Sequence, residues 1–65
     1  MFVRVEWTEV REQESYLVIA DLTDKGWEFW ERSSWEIRWY PMISTSQLVT
    51  KAEHTLRGPA RRTAA

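Results

Sequence analysis

The chain has no cysteine, one histidine, two glycines and two prolines in 65 residues. Without cysteine it can form neither a disulfide nor a thiolate metal site. The expected setting is the cytoplasm. The single histidine, His54, cannot hold a metal without carboxylate help. With only Gly26 and Gly58 there is no glycine-rich phosphate loop, and no Gly-x-Ser-x-Gly turn presents a nucleophile. No apolar run approaches the roughly 18 residues of a membrane span. Met1 to Glu6 alternates apolar and charged residues, where a signal peptide would be continuously apolar. Neither sign of charge dominates: nine basic against ten acidic residues give a net charge of −1. Long-range attraction to nucleic acid or membrane is therefore not expected.

What the chain does have is tryptophan, five residues in all, four of them between Trp27 and Trp39. Large rings let a small domain bury much area per residue. A chain this short still buries only about 60% of its unfolded surface, so it is marginal alone. With disulfides excluded, association with a second chain is the most accessible extra source of stability.

Hydrophobic alternation predicts four antiparallel strands near residues 2–10, 15–24, 27–32 and 35–40. A four-residue loop, Arg11 to Glu14, places Val5 opposite Ala20 and Trp7 opposite Val18. A tight turn at Lys25-Gly26 places Asp24 opposite Trp27 and Leu22 opposite Phe29. A loop at Arg32 to Ser34 places Phe29 opposite Ile37 and Trp27 opposite Trp39. Together these registers gather Val3, Val5, Trp7, Val18, Ala20, Leu22, Trp27, Phe29, Trp35, Ile37 and Trp39 on one face. A one-residue slip would break the set. The other face then pairs Arg4 with Asp21 and Glu28 with Arg38, opposite charges across a ladder. Pro41, which has no N–H to donate, is expected to end the sheet.

A helix is predicted near 45–57. Ser44 to Gln47 fits a capping box, Ile43 and Leu48 have the spacing of a hydrophobic staple, and Gly58-Pro59 closes the helix. Its stripe of Leu48, Val49, Ala52 and Leu56 should lie on the tryptophan-rich face. The expected fold is α+β: a four-stranded antiparallel meander with one C-terminal helix packed on one face, ββββα. It forms a single domain over residues 1–58. Residues 59–65, with no large apolar side chain, read as a disordered basic tail.

No catalytic residue, metal site or cofactor is expected, and the chain does not read as an enzyme. His54 sits on a helix face with Lys51 and Gln47. Glu9, Glu12 and Glu14 surround a hairpin loop, the usual place for solvated carboxylates. Glu31 falls at the rim of the core face.

The remaining surface is the face away from the helix. It is expected to carry Phe2, Leu17, Ile19, Trp30 and Tyr40 among arginines, and one helix leaves it uncovered. The sequence therefore points to a small binding or assembly module. These five residues would form a protein interface, most simply with an identical chain in a homodimer, though another protein would also fit. The alternative is single-stranded nucleic acid, with Trp30 and Tyr40 stacking bases while Arg4, Arg32 and Arg38 meet phosphates. In topology alone this arrangement resembles the single-strand-binding fold of the Pur family, without any sequence motif of that family. The acidic residues Glu6, Asp21, Glu28 and Glu36 on the same face count against the alternative.

Overall fold

The computed structural model describes residues 2–58 and 62–64. Four antiparallel strands are followed by one helix: β1 (Val3–Arg11), β2 (Glu14–Thr23), β3 (Gly26–Ser33), β4 (Tyr40–Met42) and α1 (Ser46–Arg57). This is the ββββα order. A short fifth strand, β5 (Arg62–Ala64), lies against β1, giving the sheet order β4-β3-β2-β1-β5. Three residues of the segment read as a disordered tail thus have a strand backbone. Residues 59–61 and 65 lie outside the described residues.

The β1–β2 register is the expected one, with Val5 opposite Ala20, Trp7 opposite Val18 and Arg4 opposite Asp21. The connection is tighter than a four-residue loop, because Arg11 and Glu14 still pair. Only Glu12 and Gln13 turn the chain, both with positive φ (50° and 69°). Two successive left-handed residues match the twist of a hairpin, but side chains other than glycine or asparagine resist that conformation.

The second turn differs from expectation. Asp24 and Lys25 make it, and Thr23 pairs with Gly26. Gly26 sits just beyond at φ 108°, a value only glycine adopts freely. The Thr23 hydroxyl fastens the turn, accepting from Lys25 N–H (3.1 Å) and donating to the Gly26 carbonyl (2.8 Å). Ala20 consequently meets Phe29, and Leu22 meets Trp27. The shift relative to the expected register is even, so every side chain keeps its face.

The fourth strand is a larger correction. Residues 35–39 are not a strand, and β4 begins at Tyr40. Phe29 pairs with Met42, Trp30 with Pro41 and Glu31 with Tyr40. The partner of Phe29 moves from Ile37 to Met42, an odd displacement that exchanges faces. Met42 therefore packs on the core where Ile37 and Trp39 were expected. Ile37 is 93% exposed and Trp35 73%. Pro41 does not end the ladder; it sits within β4, at the sheet edge where a missing N–H is tolerated.

The core joins Val5, Ala20 and Phe29 of the sheet to Ala52 of α1. Trp7, Trp27, Met42, Leu48, Val49 and Leu56 pack around it. Ala20 and Ala52 are both fully buried in it. Leu22, expected deep in the core, is 37% exposed at its end. The helix cap is Thr45 rather than Ser44: its hydroxyl accepts from Leu48 N–H at 3.2 Å. Ile43 is 87% exposed and staples nothing. Beyond the reach of the helix, the same face ends in a polar group. Arg11 bridges Glu9 (3.3 Å) and Glu31 and lies over the Tyr16 ring, while Trp7 Nε1 donates to Glu9 (2.6 Å).

Two expectations follow. Phe29→Ala should cost about 3–5 kcal/mol, whereas Ile37→Ala should stay within about 0.5 kcal/mol; urea melts compare them, and equal losses would return residues 35–39 to the core. Replacing Glu12-Gln13 by Asn-Gly should raise stability by about 1 kcal/mol, because it relieves two left-handed side chains. An unchanged urea midpoint would show that the turn holds no strain.

Candidate surface on the uncovered sheet face

Register fixes which side chains stand opposite the helix. They are Arg4, Glu6 and Thr8 from β1, Leu17, Ile19 and Asp21 from β2, and Glu28, Trp30 and Arg32 from β3. Of the residues assigned to this interface from sequence, Leu17, Ile19 and Trp30 are brought together. Phe2 joins them at one end, with the Arg4 guanidinium 5.0 Å from its ring centre. Tyr40 does not: it pairs with Glu31 and so belongs to the helix side. Arg38 lies over the Tyr40 ring at 5.2 Å, away from Glu28, so the expected Glu28–Arg38 pair is absent. With Tyr40 and Arg38 gone, the base-stacking set keeps only Trp30, Arg4 and Arg32.

Residues 35–39, expected to be strand, instead belong to a loop over 34–39 pinned by a single carboxylate. Ser34 N–H donates to the Ser15 carbonyl (3.0 Å), and Glu36 N–H to the Ser33 carbonyl (3.1 Å). The Glu36 side chain accepts from the Ser33 hydroxyl (2.7 Å) and the Tyr40 phenol (3.1 Å). Arg32 donates to the Glu36 carbonyl. With Glu36 held between the end of β3 and the start of β4, its neighbours Trp35 and Ile37 project into solvent. Trp39 then turns back over the sheet, and Arg32 stacks on its ring at 5.0 Å. Trp39, Trp30, Ile19 and Arg4 line an open cleft of about 240 Å³. Trp39 thus takes the place assigned to Tyr40. Strand alternation alone hid this, and the available signal was Ser33 and Glu36 three apart, a turn spacing.

The charges are locally committed. Arg4 grips Asp21 through two bonds, Nε to Oδ1 at 2.6 Å and Nη2 to Oδ2 at 2.9 Å. Asp21 is 6% exposed. The hydrogen bond to Asp21 pushes the Arg4 guanidinium above its ordinary value, against the opposing effect of burial. Glu28 stands directly across from Asp21, so two carboxylates face one arginine. Neither Glu28 nor Glu6 has an ion-pair partner among the described residues. A face with Arg4 engaged, Arg32 stacked and carboxylates in surplus offers little to a phosphate backbone.

Among the described residues no group of three or more histidine or acidic side chains could hold a metal ion. No helix among them is long and apolar enough to cross a membrane. The pocket is smaller than the roughly 300–1,000 Å³ of ordinary ligand sites. Comparisons with protein-family models, curated proteins and solved structures find no match to this chain.

The Arg4–Asp21 pair gives a direct test of this electrostatic account. Arg4→Leu leaves a buried carboxylate unpaired and should cost about 1–3 kcal/mol, a range that already discounts the exposure of Arg4. Adding Asp21→Leu should recover most of that loss. A double variant as unstable as the single one would show that the pair does not organise this face.

Proposed function

We propose that this domain is a non-enzymatic assembly module that associates with a second copy of itself through the sheet face opposite α1. The contact centres on Leu17, Ile19, Trp30 and Trp39. One observation carries the reading: a pocket walled by two tryptophans and an isoleucine sits on a face that no element of the described chain seals. The buried apolar core comprises only Val5, Val18, Ala20, Phe29 and Ala52 among the described residues. A domain with so small an interior gains from each further Å² of apolar area, at about 25 cal/mol. Tryptophan and arginine are also the residues that dominate interface centres. A patch that meets its own copy closes into a pair.

Sedimentation across concentration, for the parent and Trp30→Glu, tests this. The parent should be a dimer at micromolar concentration and the variant a monomer. A variant that stays dimeric removes this face from the interface. A parent that is monomeric at every concentration overturns self-association. If that monomer also binds an oligothymidylate through Trp30, single-strand binding replaces it.

A further inference from the structure

The two sides of the sheet end differently. On one, β4 is three residues long and carries Pro41. The Thr23–Gly26 pair closes a two-residue turn, so β3 bonds to β2 through Gly26, Glu28, Trp30 and Arg32. Pro41, opposite Trp30, therefore sets its missing N–H toward the free side. A short strand with an outward proline is a poor template for a further strand.

On the other side, β1 runs for nine residues without proline, lysine or bulge, the usual safeguards of an edge. Arg11–Glu14 closes a two-residue turn. Val3, Val5, Trp7 and Glu9 therefore bond to β2, while Arg4, Glu6, Thr8 and Val10 turn their backbone N–H and C=O outward. β5 pairs with Val3, Arg4 and Val5 only, so it engages one of these four. No described residue pairs with the outward groups of Glu6, Thr8 and Val10. Along the same stretch Glu6, Trp7, Thr8 and Leu17 line a cleft of about 150 Å³. The Glu6 carboxylate has no ion-pair partner among the described residues, and Arg4, two residues back, is committed to Asp21.

We propose that the outer edge of β1 receives an extended segment of another protein, antiparallel to β1, with a lysine or arginine opposite Glu6. Backbone pairs supply the affinity and the cleft the selectivity, as in strand addition to a sheet edge. The stem of the basic side chain lies over Thr8 and Leu17 while its head meets Glu6. Opposite charges directly across a ladder are favourable. β-Branched side chains suit the positions opposite Thr8 and Val10, where Val10 is 70% exposed. The chain itself shows that this edge takes a basic segment, since β5 reads Arg-Thr-Ala. A segment reaching from Val10 to Arg4 makes four bonded pairs where β5 makes one, so it displaces β5. The bonds lie in the plane of the sheet, so the proposal stands without the self-association argued above.

The probe is the synthetic peptide Val-Lys-Thr-Val-Lys-Val-Thr, blocked at both ends. With its first residue opposite Val10, its second lysine falls opposite Glu6. Titrated into the isotope-labelled full chain, it should shift the amide resonances of Glu6, Thr8 and Val10 with a Kd below about 1 mM. N-methylation of its third and fifth residues removes N–H groups aimed at β1 and should weaken binding about 10-fold. Methylation of the fourth and sixth, which point away, should change it by less than about twofold. Glutamate in place of the second lysine should weaken binding, and Thr63→Pro, which removes the N–H that β5 offers Arg4, should tighten it. No binding at about 1 mM overturns the proposal. So do equal losses from the two methylation patterns, or shifts confined to α1 and residues 34–39. Unchanged affinity in Thr63→Pro overturns the displacement of β5. Shifts at Thr8 and Val10 that follow protein concentration without peptide make a second copy the occupant instead.

Discussion

A strand sends alternate side chains to two faces, and the described residues supply one helix to cover them. The constraint is quantitative. A helix of twelve residues is about 18 Å long. Five strands spaced about 4.8 Å apart make a sheet about 19 Å across. After β4 at one edge, α1 is long enough to cross the sheet before β5 joins β1 at the other edge. One pass covers one face once. Whatever the second face needs has to come from a loop, from its own charges or from another chain.

The domain uses the first two of these in part. The loop over 34–39 brings Trp39 over Ile19 and Trp30. The Arg4–Asp21 pair lies across β1 and β2 and lets Asp21 be nearly fully buried without an orphaned charge. Neither closes the face. The loop leaves a hollow under Trp39, and the ion pair commits Arg4 to Asp21, so Glu28 across the β2–β3 ladder has no ion-pair partner among the described residues. The surface is therefore unfinished in two respects, apolar at its centre and acidic at its side.

How much of this was legible in the sequence depends on the parity of each pairing. The β1–β2 register was legible because alternation and the Arg4–Asp21 pair agree on it independently. The β2–β3 turn was misplaced, yet the faces survived, since an even shift returns each side chain to its own side. Nothing in Lys25-Gly26 distinguishes a glycine inside the turn from one just after it; both positions reward a positive φ. The helix stripe of Leu48, Val49, Ala52 and Leu56 was legible from its period. The fourth strand was not. Trp35, Ile37 and Trp39 alternate with charged residues as a strand would, and local alternation cannot report that Ser33, Glu36 and Tyr40 bind one another. Met42 took the core position because an odd shift was available and Pro41 fits an edge. The candidate surface inherits this: Leu17, Ile19 and Trp30 follow from the registers, while Trp39 for Tyr40 required the loop to be seen.

The physical weight of Glu36 lies in what it prevents. A loop with two large apolar side chains would ordinarily collapse onto nearby apolar surface. Hydrogen bonds from Ser33 and Tyr40 to one carboxylate hold Trp35 and Ile37 off that surface. Each such bond, made to a charged acceptor, contributes on the order of 1.5–3 kcal/mol. That is comparable with the 1.5–3 kcal/mol gained by burying one aliphatic side chain. The balance between the two is close, so the polar tie is sufficient to keep the apolar side chains exposed without being a large perturbation of the fold.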